Sequence, residues 1–379
     1  MALNINKPFV FGTYVGTENF IGREKEITRL EANFTHGVNT ILMSPRRWGK
    51  TSLVKRVAEN VTSDNIRVVY IDIFSCRDEY DFYNKFAVSL LKQTSGKFEE
   101  WKHTVTDFIT RLTPKISYAF TPMDEVAVSL GITPKTHQPE EILELPQIIA
   151  EKIGKHIVVC IDEFQQVGEF SDSLTVQKRM RSVWQYQKNV SYCLFGSKRH
   201  MMENLFLKSS YPFYKFGDII PIPMIPTETW MPYIQRGFAT EGKSISEEYV
   251  AKLCKRVRNH SSYVQQYAWL TLVNTTNNVT DDILDISYQD LIDENSSLFT
   301  EQTSSLTTYQ INLLRAILNG NHSELGTSAI REEYNLGSYS NISRVTKALT
   351  EKELIHKELQ GLFITDPVLE SWLYQTIIS

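Results

Sequence analysis

The run Ser44-Pro45-Arg46-Arg47-Trp48-Gly49-Lys50-Thr51-Ser52 holds its residue types in an order suited to gripping a polyphosphate. It matches G-x-x-x-x-G-K-[ST] at every fixed position except the first, where Ser44 stands for glycine. The proline that follows biases Ser44 toward extended backbone, which a chain leaving a strand adopts without glycine. Gly49 lets the backbone come close to anionic oxygen, and the amides where a helix starts point their N–H groups at it. Lys50 then reaches the β- and γ-phosphates, and the Thr51 hydroxyl is placed to ligate Mg²⁺. No acidic residue lies between positions 44 and 58, so Arg46, Arg47, Lys50, Lys55 and Arg56 add a positive field where the ligand docks. MgATP is the ligand this chemistry suits.

A second group of reactive side chains ends another apolar run, in which Ile157-Val158-Val159-Cys160-Ile161 leads into Asp162 and Glu163. A carboxylate at such a strand end can hold the hydration shell of Mg²⁺, and its neighbour can polarise a water for in-line attack on a γ-phosphate. Asp162 therefore joins Thr51 as a metal candidate, and Glu163 joins Lys50 as a catalytic one. An Asp-Glu pair alone can equally open a solvated loop; the phosphate-binding run upstream favours the chemistry. A third run, Tyr192-Cys193-Leu194-Phe195, ends in Gly196-Ser197. The Ser197 hydroxyl there could sense the γ-phosphate or orient the attacking water, although Gly-Ser by itself is also a turn signal.

The elements that must position these groups alternate along the chain. Residues 38–43 read as a buried strand, and Leu53, Val54 and Val57 fall at helical spacing after the phosphate-binding run. Before it, Phe20-Ile21-Gly22-Arg23-Glu24 enters a helix that continues through Leu30 and Phe34. A strand over 68–73 leads to a helix with Phe82, Phe86, Leu90 and Leu91 on one face, and a helix over 140–153 precedes the Asp-Glu strand. The expected fold is α/β, a parallel sheet with flanking helices. Residues 99–138 interrupt it as an insertion, and Pro221, Pro223 and Pro226 mark its end. Helices around 230–238, 247–256 and 263–272 then suggest an all-α lid. Helices over 309–318, 329–334 and 340–349, followed by a hairpin over 355–364 turning at Gln360-Gly361, describe a winged helix-turn-helix. The domain boundaries expected are 1–225, 226–300 and 301–379.

Composition sets the outer bounds. A chain of 379 residues with 42% hydrophobic content buries substantial cores in two or three domains. Its four cysteines are far apart and mostly inside apolar runs, which suggests neither a disulfide framework nor a zinc motif. No run of eighteen apolar residues occurs and the first residues lack a leader pattern, so the expectation is a soluble cytoplasmic protein without a membrane partner. The formal charge of −4 gives no general attraction to nucleic acid or anionic lipid.

Phe20-Ile21-Gly22-Arg23-Glu24, the run from Ser44 to Leu53, Asp162-Glu163, Gly196-Ser197 and the terminal Asp366-Pro367-Val368-Leu369-Glu370-Ser371-Trp372-Leu373 together resemble the archaeal-type ATPase family of STAND P-loop proteins, relatives of AAA+ ATPases. The resemblance covers nearly the whole chain. It implies an ATPase domain, a helical lid and a C-terminal winged helix whose packing follows the ATP state, with Gly22 and Arg23 near the adenine. Two departures stand out. The lid element that often carries a glycine and then a proline corresponds here to Asn259-His260-Ser261-Ser262-Tyr263, and an arginine before the last core strand is replaced by Lys215. Lysine is a point charge without the planar fork of arginine. Lys198 and Arg199 are the alternative cations.

The wing's charge bears on its partner. Positions 301–379 hold six basic and nine acidic residues, six less nine leaving −3. Duplex binding draws much of its affinity from phosphate neutralisation. This balance favours a protein partner, self-association or an autoinhibitory contact over DNA, for which Arg344 and Lys347 would be the local contact. The leading expectation is an ATP-hydrolysing molecular switch. The alternatives are a nucleotide-responsive DNA-binding regulator and a nucleotide-binding scaffold that never turns over.

Overall fold

The structure, a computed structural model, describes residues 7–13, 15–16, 19–94 and 139–378. The insertion expected at 99–138 lies outside the described residues. The chain divides into two compact units, one of Arg23–Pro223 and one of Met1–Gly22 with Met224–Ser379.

In the Arg23–Pro223 unit five strands form one parallel sheet: β1 (Thr40–Met43), β2 (Ile66–Asp72), β3 (His156–Asp162), β4 (Val190–Gly196) and β5 (Asp218–Pro221), in the order β2-β3-β4-β1-β5. β1, β3 from Ile157 onward, and β4 are buried along their whole length, as suits largely apolar strands covered on both faces, with Thr40 and Ser191 buried among them. Register brings Met43 beside Gly196, and Asp72 beside Asp162. Ser44, Asp162 and Ser197 therefore all emerge at the carboxyl edge of the sheet, the edge where ligands bind in open α/β sheets. β1 starts two residues later than the apolar run suggests. Gly37 turns with φ 68°, and Val38 spends its N–H on Asn33 O at 2.8 Å.

The helices of this unit are α1 (Glu24–Thr35), α2 (Lys50–Val61), α3 (Glu79–Thr94), α4 (Pro139–Ile153), α5 (Ser173–Trp184) and α6 (Arg199–Leu207). A 3₁₀ segment over Phe164–Glu169 follows Glu163 directly. Its Phe164 anchors it, edge-on to Phe213 at 5.3 Å between ring centroids, in an aromatic core where Trp184 stacks on Tyr192 at 4.0 Å. The site residues that follow β3 are thus attached to a rigid base.

The second unit is helical: α7 (Thr227–Thr240), α8 (Glu247–Arg256), α9 (Ser261–Asn274), α10 (Asp281–Ser304), α11 (Thr308–Leu318), α12 (Ser328–Glu333), α13 (Tyr339–Glu351) and α14 (Pro367–Leu373), with the antiparallel pair β6 (Ile355–Glu358) and β7 (Gly361–Ile364) before α14. α10 crosses position 300, and one hydrophobic core runs from Phe9 to Leu373. Arg258, left-handed with φ 48°, donates to Ile364 O at 3.2 Å and pairs with Glu370, while Tyr263 donates to Asp366 at 2.6 Å. Asp366 in turn caps α14 by accepting from Val368 and Leu369. The hairpin turns at Leu359 and Gln360, with Gly361 already the first residue of β7. A Cβ on Gly361 would stand 2.2 Å from His322 O, so glycine is required there by close approach.

Candidate functional site

The loop from Ser44 to Gly49 joins β1 to α2 through two left-handed residues, Arg47 (φ 63°) and Gly49 (φ 87°). Nothing stands within 4 Å of the place a Gly49 Cβ would take, so among the protein's own atoms the demand for glycine is conformational. Ser44 is buried and keeps ordinary negative φ, which is why serine serves where the pattern has glycine. The loop closes around Lys50, whose Nζ donates to Ser44 O at 2.9 Å, Pro45 O at 2.8 Å and Ser44 Oγ at 3.2 Å. Lys50 and Ser52 are buried in the first turn of α2, where the leading N–H groups have no partner within the helix. Arg46 and Arg47 are exposed and make no hydrogen bond or ion pair among the described residues, and Trp48 is half-buried.

Arg23 braces this loop from below. Its guanidinium donates to Pro223 O and, at 3.2 Å, to Trp48 O. Its own backbone is left-handed with φ 75°, and burial lowers its pKa, a shift that Glu26 opposes. Gly22 precedes it with φ 63°, and a Cβ there would meet Thr229 at 3.3 Å.

Thr51 and Asp162, 111 residues apart, meet directly: Thr51 Oγ1 donates to Asp162 Oδ2 at 2.8 Å. Tyr70 donates to the same oxygen, and Oδ1 accepts from the Glu163 amide at 2.9 Å. Burial pushes the Asp162 carboxyl above its ordinary pKa, against the opposing effect of the hydrogen bonds from Tyr70 and Thr51. Burial and the same carboxylate push the Tyr70 hydroxyl up, so it stays a proton donor.

Glu163 takes a left-handed backbone, φ 57°. Its Oε2 accepts from Ser197 Oγ at 2.8 Å, the Ser197 amide at 3.4 Å and Gln165 Nε2. The structure therefore gathers Ser44, Lys50, Thr51, Asp162, Glu163 and Ser197 at one edge of the sheet. The alternative cations stand apart from this group in their bonding. Lys198 pairs with Glu169, Arg199 pairs with Glu203 at 2.8 Å, and Lys215 lies 5.4 Å over the Tyr214 ring.

Sequence reasoning missed Tyr70 and Gln165. Tyr70 stands beside Cys160 in the β2–β3 register, two residues before the strand ends at Asp72 and Asp162. Only the identity of the neighbouring strand reveals it. Gln165 lies two residues beyond Glu163, and its burial was the missing signal.

A phosphate-loop strand and helix on a five-stranded parallel sheet, with an acidic pair ending the neighbouring strand but one, define the P-loop fold of AAA+-like ATPases. The chain belongs to the family described as "ATPase domain predominantly from Archaea", whose model matches residues 20–213. A second family model, "Probable winged helix domain", matches residues 297–375. Among solved structures, the Walker-type ATPase PABY2304 of Pyrococcus abyssi is similar at 16% identity with a TM-score of 0.70, over 97% of this chain and 99% of that one. The ORC2 protein of Aeropyrum pernix, solved as ADPNP-ADP complexes, is similar at 14% identity with a TM-score of 0.58, over 96% and 98%. At these identities the likeness speaks for the fold. A comparison with curated proteins returns no match. Among the described residues no helix is long and apolar enough to cross a membrane.

Proposed function

We propose that this chain is an ATP-binding and ATP-hydrolysing molecular switch of the STAND type, in which nucleotide state governs the lid and winged helix. The observation that carries the reading is the Thr51–Asp162 hydrogen bond at 2.8 Å, which brings a first-turn hydroxyl of α2 and a strand-end carboxylate close enough to share one ion. Their hard oxygen atoms suit Mg²⁺, which is typically held by one or two protein oxygens together with phosphate and water. Among the described residues there is no cluster of three or more His, Cys, Asp or Glu that could hold a metal, so this ion would depend on the phosphates. When bound, Mg²⁺ would neutralise charge on the phosphate oxygens.

The chain's own residues supply the rest. The first-turn amides of α2 and Lys50 bind phosphate oxygens, with Lys50 exchanging its present carbonyl partners for them. Ser44, Pro45, Arg46, Arg47, Trp48, Gly49 and Ser52 shape that cradle. Gly22 and Arg23 belong to the nucleotide-binding set on the strength of the family resemblance, and Arg23 also fixes the loop through Trp48 O. Glu163 accepts a proton from the attacking water, and Ser197 orients that carboxylate. The fold likeness to ORC2 of Aeropyrum pernix, solved with ADPNP and ADP, agrees with an adenine nucleotide. The wing contacts protein or another copy of this chain.

Single-turnover phosphate release from MgATP by the full chain tests the reading. Glu163→Gln should be slower by about two to four orders of magnitude, the usual worth of a general base, while binding a fluorescent ATP analogue as well as wild type. Equal rates for the two proteins would remove the hydrolytic role.

A further inference from the structure

We propose that Gln165 is a positioning residue that fixes which oxygen of Glu163 is presented to water, and that position 196 is glycine in order to admit it. The inference rests on the reading of Glu163 as the base. Gln165 is 2% exposed, and its Nε2 donates to Glu163 Oε2, the oxygen that also accepts from Ser197 Oγ and the Ser197 amide. The orientation of the amide is set by electrostatics, since the opposite one would aim its oxygen at a carboxylate. Three donors thus converge on Oε2, and Oε1, to which none of the described residues donates, is left to take a proton.

The other end of the amide shows why this arrangement is not ordinary packing. Gln165 Oε1 is buried without a hydrogen-bond partner among the described residues. Burying an amide oxygen unpaired is unfavourable, and a methionine of similar length would fill the same space without that cost. The amide is retained for what its nitrogen does. The oxygen lies against Gly196, where an added Cβ would stand 1.7 Å from Oε1 and 2.9 Å from Cδ, with Met202 Sδ at 3.2 Å. All three are side-chain atoms of the buried residues Gln165 and Met202, so an alanine at 196 displaces the amide, and with it the hydrogen bond to Glu163. The Gly196-Ser197 pair then has two tasks: the glycine makes room for one donor, and the serine is another.

The test uses the full chain with Gln165→Met, Gln165→Ala, Gly196→Ala, the Gln165→Ala/Gly196→Ala pair and Glu163→Gln. Single-turnover hydrolysis, affinity for a fluorescent ATP analogue and thermal melting are measured on each. Gln165→Met should slow hydrolysis roughly ten- to hundred-fold with affinity unchanged, the scale of losing an orienting hydrogen bond. Gly196→Ala should slow it similarly and lower the melting temperature. In the Gln165→Ala background, where the space is empty, Gly196→Ala should cost nothing further in either readout. A Gln165→Met protein as fast as wild type, while Glu163→Gln is inactive, would overturn the proposal and leave the base intact. Additive melting losses would overturn the claim about Gly196 without any reference to turnover. Should Glu163→Gln match wild type, the base reading itself has failed, and the positioning role falls with it.

Discussion

The two compact units bury different kinds of polar group. All three charged residues buried among the described positions, Arg23, Lys50 and Asp162, lie in the Arg23–Pro223 unit. The lid and wing unit buries Gln265, Thr271, Thr275, Ser287, Asn295 and Gln310, none of them charged. Four of these return a hydrogen bond to the helical turn before them: Thr271 to Tyr267 O, Thr275, just past the end of α9, to Thr271 O, Ser287 to Ile283 O and Asn295 to Leu291 O. Such residues let polar atoms lie inside a helical core at small cost. A buried charge costs far more unless paired, so its presence marks where stability has been given up for chemistry. Even the glycines differ in this way. Gly237 makes room for the Phe9 ring, whose Cζ would lie 2.6 Å from an added Cβ, whereas Gly196 makes room for an amide.

If the lid and wing unit is built for stability, its largest loss should come from its apolar core. Phe9 is buried, with its ring 5.9 Å from Tyr233 and 6.0 Å from Phe238 between centroids. Phe9→Ala should cost about 3–5 kcal/mol by leaving a cavity, read by urea unfolding of the full chain. Affinity for an ATP analogue should stay near wild type. A loss of affinity as large as the loss of stability would break the division of labour between the units.

Much of this division was legible in the sequence, for reasons that particular residues make clear. The phosphate loop and the Asp-Glu strand end were readable because their chemistry is contiguous in the chain. The parallel sheet was readable because its buried strands are largely apolar, with Thr40 in β1 and Ser191 in β4 as polar interruptions before the strand ends. α10 was not read. Its buried positions Leu284, Ser287, Leu291, Asn295 and Phe299 keep helical spacing, but serine and asparagine interrupt the apolar stripe that announces a helix. The boundary expected at 300 and 301 therefore fell inside it. Tyr70 and Gln165 were hidden for another reason: a hydroxyl supporting a carboxylate across strands, or an amide under one, leaves no local pattern.

Arg23→Leu should sharpen the contrast from the other side. It removes a charged donor from Pro223 O and Trp48 O, which is expected to cost about 1.5–3 kcal/mol of stability, the net worth of hydrogen bonding to a charged group. It should also weaken nucleotide binding, since the phosphate loop loses its brace. Arg23→Lys should not restore either property, because an ammonium cannot reproduce the fork. Full recovery by lysine would reduce Arg23 to a buried charge with no geometric role.

Asp162→Asn makes the trade between stability and chemistry directly measurable. The folded-state pKa of Asp162 is raised, chiefly by burial, so folding favours its protonated form. Its contribution to stability is then present below the unfolded pKa and is lost as pH rises through the folded one. In chelator at neutral pH, Asp162→Asn should melt at or above the wild-type temperature, and the advantage should shrink as the pH is lowered. The same variant should lose the Mg²⁺-dependent part of its ATP-analogue affinity. A variant that is less stable at neutral pH, with the deficit closing in acid, would reverse the sign and place Asp162 among the stabilising residues.

Ser287→Ala is the matching probe in the helical unit, and its effect should be the smallest. The hydroxyl donates to Ile283 O at 2.7 Å and accepts from Asn274 Nδ2 at 3.1 Å. Ile283 O lies inside α10 and belongs to the ladder of that helix. Asn274 keeps Asp290 at 2.7 Å when the serine is gone. No buried group is therefore stranded, and the cost should stay within about 1 kcal/mol, the net worth of one neutral hydrogen bond. It should not vary with pH, because no titrating group holds the hydroxyl. A loss several times larger would mean that the neutral polar residues of α10 fix how the helix is seated, in which case the helical unit too keeps polar groups for specificity and the contrast with Asp162 becomes one of charge alone.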